Sequence, residues 1–88
     1  MIKIAIPSYK RPNVLKNKTL KVLLEQKIDP KRIIIFVSDK EQKKEYLKIL
    51  DPNTYDKIVI GVSGIKNIRN FMANYFKENQ KIFYIDDD

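Results

Sequence analysis

The stretch "RIIIFVS", residues 32–38, decides the architecture. It is a run of β-branched and aromatic residues with no polar alternation. Successive strand side chains point to opposite faces, so a strand with one wet face alternates apolar with polar residues. A run without alternation suits a strand that is dry on both faces, as in a parallel sheet covered by helices.

The flanks extend that reading in both directions. Upstream, "MIKIAIP" alternates Ile2, Ile4 and Ile6 with Lys3 and Ala5, a strand closed by Pro7. Between the two strands, residues 13–27 carry a helical pattern that puts Leu15, Thr19, Val22 and Leu23 on one face. The "DP" at residues 29–30 ends it. Downstream, residues 39–50 predict a charged helix with Tyr46, Leu47, Ile49 and Leu50 for the core. "DPNTYD" is a turn, "KIVIGV" a third strand and "KIFYI" a fourth. Between those strands, a helix starts at residue 63 or 64 and runs to about residue 79. Its apolar stripe is Ile65, Ile68, Met72, Tyr75 and Phe76. The order β-α-β-α-β-α-β calls for a parallel sheet with right-handed crossovers.

Size and composition narrow the chemistry. Eighty-eight residues make one small domain, and 43% hydrophobic content is ordinary for a globular chain. Without cysteine or histidine, the chain has neither thiolate nor imidazole metal ligands and no histidine general base. The net charge of +7 comes from fifteen lysines and three arginines. The lysines are spread along the chain and fit an AT-rich coding bias, so the charge is mainly compositional. Nucleic-acid binding is therefore the less favoured reading of it. No segment approaches the roughly 20 apolar residues of a membrane helix, and strand-like sequence begins at once, so a cytoplasmic location is expected.

In open parallel α/β sheets, ligands sit beyond the carboxyl ends of the strands. Four loops fall at that edge: "SYKRPN", "SDK", "GVSG" and "DDD". Each allows two readings. Asp86 and Asp88 share one side by strand alternation and offer hard oxygens suited to Mg²⁺ or Mn²⁺, or else the three aspartates are a solvated tail. Ser8, Tyr9, Lys10 and Arg11, bracketed by Pro7 and Pro12, offer a hydroxyl, an aromatic face and two cations to a nucleotide, or form a plain βα turn. Asp39 accepts hydrogen bonds from a base or ribose, or caps the next helix. Gly64 permits a tight strand-to-helix turn, and Arg69 snorkels or meets an anion. Neither a Walker lysine motif nor a G-x-G-x-x-G is present.

Taken in order, these motifs resemble the N-terminal nucleotide-binding half of GT-A fold glycosyltransferases, closest to family 2-like enzymes and their viral relatives. The matching positions are Pro7, Ser8, Tyr9 and Arg11 after the first strand, then Asp39 after the second. Gly64, Arg69 and Asn70 open the third helix, and the Asp-x-Asp of Asp86 and Asp88 follows the fourth strand. The resemblance implies a Rossmann-like three-layer α/β sandwich with a four-stranded parallel sheet in the order 3-2-1-4 and three crossover helices. It implies that Ser8 and Asp39 hold a uracil-type base and that Arg69 assists the base or diphosphate. Asp86 is expected near the ribose or metal, Asp88 at the metal and diphosphate, and Asp87 with the nucleotide-binding group.

Members of that family continue well past this motif with the acceptor site. The resemblance thus implies a donor-binding domain that is catalytically incomplete as an isolated chain, with its catalytic residues elsewhere. Its expected partners are a UDP-type nucleotide sugar, Mn²⁺ or Mg²⁺, and either a second copy or a complementing acceptor-half chain at the open sheet edge. For a viral relative, the host cytoplasm or the virion is the expected location. The alternative is a non-catalytic nucleotide-binding or interaction module of doubly wound type.

Overall fold

The computed structural model describes residues 2–62 and 65–88, and only the backbone at residues 65 and 66. The helix start expected at residue 63 or 64, the proposed ligand contact of Gly64 and the side chain of Ile65 lie outside the described residues. Strands β1 (Lys3–Pro7), β2 (Ile33–Val37), β3 (Lys57–Ile60) and β4 (Ile82–Tyr84) form one sheet in the order β3-β2-β1-β4. All three pairings are parallel. Ile4 to Pro7 of β1 face Ile33 to Phe36 of β2, and Lys3 to Ala5 face Ile82 to Tyr84 of β4.

Every side chain of β2 is buried, and the strand feeds two separate cores. Ile33, Ile35 and Val37 join Ile4, Ile6, Leu15, Leu20, Tyr46 and Leu50 on one face. Ile34 and Phe36 join Ala5 and Met72 on the other. This is why "RIIIFVS" does not alternate: it has no wet side. Helices α1 (Pro12–Asn17), α2 (Thr19–Glu25) and α3 (Lys40–Ile49) supply the first face, and α4 (Ile65–Tyr75) supplies the second. A constant crossover hand demands this split. The chain steps β1 to β2 to β3 in one direction, then reverses past β1 to reach β4. The strand order switches beside β1, so β1 and β4 flank the crevice that favours ligands.

The first crossover departs from the single helix expected over residues 13–27. It breaks at Lys18, where φ is −115° and ψ is −80°. The break re-phases the second half of the crossover. Leu20 turns into the core and Val22 turns out, at 53% exposed. Tyr46 in α3 and Leu50 at its C-cap are buried as expected, but Leu47 is 51% exposed, one position off the stripe. In α4, Phe71 joins Ile68 and Met72 against the sheet, and Phe76 follows just past the helix end. Gly61 makes room for that helix: a Cβ there would lie 2.8 Å from Ile68 Cδ1 and 3.2 Å from Phe71 Cδ1. No helix among the described residues is long and apolar enough to cross a membrane.

Helix α2 ends in a Schellman arrangement. Lys27 N donates to Leu24 O and Ile28 N to Leu23 O, both at 3.0 Å, while Leu23 and Ile28 pack on the core. The geometry requires a left-handed residue, and Lys27 takes it with φ of 59°. A side chain is disfavoured there, whereas glycine is not. Lys27→Gly is therefore expected to raise stability by about 0.5–1 kcal/mol and the thermal midpoint by several degrees. A lower midpoint in a thermal melt would contradict the left-handed cap.

Candidate functional site

The loop after β1 and the segment after β4 run side by side because their strands are paired. Ser8 N donates to Phe36 O at 2.9 Å, and Ile85 N donates to Ala5 O at 3.1 Å, so the ladder continues to the sheet edge. Beyond it the two segments meet through side chains, and α3 holds the first from behind.

Four groups form a directional chain. Ser8 Oγ lies 2.8 Å from Asp87 Oδ2 and 2.5 Å from Tyr46 Oη, and Arg11 N donates to Tyr46 Oη at 3.1 Å. A carboxylate can only accept, so Ser8 gives its one proton to Asp87. Tyr46 must then donate to Ser8, and its oxygen accepts from Arg11 N–H. Burial pushes the Tyr46 hydroxyl above its ordinary pKa, against the opposing pull of its hydrogen bonds, which keeps that proton in place. Ser8, Tyr46 and Asp87 are all buried. Gln42, one turn before Tyr46 on α3, accepts from Lys10 N at 2.7 Å. That contact holds Lys10 in the left-handed region, at φ of 54°.

The Arg11 guanidinium closes the cluster on its wet side. Nη2 bonds Asp88 Oδ2 at 2.7 Å, and Nη1 lies 3.6 Å from Asp87 Oδ1. The hydrogen bond from Arg11 is the main reason the Asp88 carboxyl is held below the usual aspartate range. The bond to Asp88, then the charge of Asp87, raises Arg11 in turn. The Arg11 and Asp88 side chains are 44% and 47% exposed, so their pair adds little to stability.

The alternation expected of the acidic triplet is present. Asp87 turns inward to Ser8, while Asp86 and Asp88 line one groove of about 400 Å³ with Thr19, Val22, Leu23 and Ile85. Thr19 Oγ1 donates to Asp86 O at 2.8 Å, which ties α2 to the end of β4. Two carboxylates on one groove wall fit a hard divalent cation that takes its remaining ligands from phosphate oxygens and water. No cluster of three or more potential ligands stands ready among the described residues.

The other candidates are placed differently. Tyr9 is exposed, and Lys10 Nζ lies 5.2 Å from its ring centroid. Pro7 sits at the end of β1, opposite Phe36. Asp39 caps α3: its Oδ1 accepts from Gln42 N at 2.8 Å, and its Oδ2 from Ser38 Oγ at 3.3 Å. Arg69 is exposed on α4, and among the described residues no contact joins it to the Ser8–Asp88 cluster. Tyr46, Gln42 and Thr19 shape the site, although the sequence places Tyr46 in the core and Thr19 on a helix face and does not single out Gln42. The available signal was a tyrosine rather than a leucine at a core position, because a buried hydroxyl demands a partner. No family model, no curated protein and no solved structure matches the chain.

Proposed function

We propose that this domain binds a nucleoside diphosphate sugar with a divalent cation, as the donor-binding half of a glycosyltransferase. One observation carries the reading: the β1–β4 pairing brings Arg11 against Asp87 and Asp88 at the switch in strand order. A cation for phosphate and carboxylates for a metal thus stand together where parallel sheets bind ligands. In this reading, Asp86 and Asp88 share the cation and Arg11 faces the diphosphate. Tyr9 and Asp39 lie toward the base, with Asp39 still able to accept while it caps α3. Ser8 acts from below, since its proton is spent on Asp87. Bound between carboxylates and diphosphate, the cation would neutralise charge on a departing nucleoside diphosphate. Arg69 is assigned to the ligand by resemblance alone.

An acceptor-binding half, in the same chain or in a partner, would extend the sheet beyond the outer edge of β4. Phe83, 62% exposed, and Tyr84 on that strand are surfaces such a half would cover.

Titration calorimetry with a panel of nucleoside diphosphates, with and without Mn²⁺, tests the reading. Saturable binding of a uridine diphosphate is expected, tightened by Mn²⁺. Asp86→Ala is expected to weaken binding in Mn²⁺ by about tenfold or more, the equivalent of about 1.4 kcal/mol. Binding indifferent to metal and to this substitution would remove the metal from the proposal. No binding by any member of the panel would favour a non-catalytic module whose acidic triplet serves only the fold.

A further inference from the structure

The geometry points to Asp88 as an internal competitor for Arg11, occupying the guanidinium until a divalent cation draws the carboxylate away and a ligand phosphate takes its place. This rests on the proposed donor-binding function and adds a regulation to it. The guanidinium has two neighbours of different kinds. Asp87 is buried and fixed by Ser8 Oγ at 2.8 Å, so it cannot leave without breaking the chain of bonds to Tyr46. Asp88 is exposed and is held among the described residues by Arg11, at 2.7 Å. The exposed partner therefore belongs both to the Arg11 pair and to the groove that Asp86 lines.

The pair uses both functional charges at once. While Arg11 holds Asp88, one carboxylate is withheld from the cation and the guanidinium is withheld from phosphate. A cation at Asp86 and Asp88 weakens the hold on Arg11. A phosphate at Arg11 frees Asp88 for the cation. Each ligand removes an obstacle to the other, so the two bind with positive linkage, which is reciprocal by thermodynamic necessity. Asp87 keeps the released guanidinium anchored through Nη1, still at the edge of the site. Metal and phosphate therefore each bind more tightly in the presence of the other.

The test uses inorganic pyrophosphate, followed by NMR titration in EDTA and again in Mg²⁺, on the full chain. In EDTA, Asp88→Asn is expected to tighten pyrophosphate about two- to fivefold, the range an exposed ion pair is worth. Asp86→Asn removes the same charge from the same groove without freeing Arg11, so it gains less. Adding Asp88→Asn to Arg11→Gln produces no gain. In Mg²⁺ the order reverses, and the wild-type chain binds more tightly than Asp88→Asn. Equal gains from the two aspartate variants would reduce the effect to general charge and overturn the competition. A gain that survives in Arg11→Gln would overturn it too, as would no gain at all. If the wild-type chain ignores pyrophosphate even in Mg²⁺, the proposed function fails and the competition falls with it. If the wild-type chain binds and the variants miss this pattern, only the competition fails.

Discussion

Phe36→Ala is expected to cost about 3–5 kcal/mol in chemical denaturation, the range for truncating a buried aromatic ring. The ring is fully buried at the centre of β2. It meets Phe71, Tyr75 and Phe76 edge-on, at centroid distances of 6.2, 5.3 and 6.0 Å. Edge-to-face pairs add to the burial of area, and here three of them converge on one ring. The core on that face is small. Among the described residues, only Ala5, Ile34, Phe36 and Met72 are buried in it, with Val59, Ile68, Phe71, Phe76 and Ile82 packed around them. A domain of this size has a net stability of roughly 4–13 kcal/mol, so the substitution removes a large share of it. The loss should concentrate on α4, and amide exchange there should accelerate before exchange in β1 and β2 does. A loss below about 1 kcal/mol would mean that α4 is not docked on Phe36 as described.

The same residue shows what the sequence made legible. Phe36 lies in a run that lacks alternation, and dryness on both faces is a property of the run itself. The parallel sheet and its covering helices follow from local pattern. Helix phase was less legible. Val22 and Leu20 exchanged places because the chain breaks at Lys18, and that break coincides with a tertiary contact, Thr19 to the carbonyl of Asp86, 67 residues away. Leu47 was assigned to the core by hydrophobicity, but the face that packs runs through Gln42, Tyr46 and Leu50.

The candidate site divides along the same line. The two-sided arrangement of Asp86, Asp87 and Asp88 needed only the period of a strand. Capping by Asp39 was one of its two readings, because caps are local. The inward turn of Ser8 was not legible, because its partners are 38 and 79 residues distant. Residue types marked out the candidate site, and the fold decided that the Ser8 hydroxyl turns inward to Asp87.

Tyr46 joins core and site, and two substitutions separate its roles. Tyr46→Ala is expected to cost about 3–5 kcal/mol, because a fully buried ring is lost from the face shared by α1, α2 and α3. Tyr46→Phe keeps the ring and deletes the hydroxyl. The Arg11 N–H then loses its acceptor, and Ser8 loses its donor. Leaving a half-buried donor unpaired costs about 1–3 kcal/mol. Ser8→Ala removes the other side of the same bond and leaves Asp87 without its hydroxyl. In a double-mutant cycle, the two changes are therefore expected to be non-additive, with a coupling of about 0.5–3 kcal/mol. Additive losses would mean that Tyr46 and Ser8 do not share a hydrogen bond. The binding readout distinguishes packing from positioning. Tyr46→Phe leaves the core filled, so a purely structural tyrosine would not alter ligand affinity in the folded fraction. If the hydroxyl sets the place of Arg11 through its backbone N–H, Tyr46→Phe should weaken pyrophosphate binding while the circular dichroism spectrum stays native. Unchanged affinity in a folded Tyr46→Phe protein would confine this residue to the core.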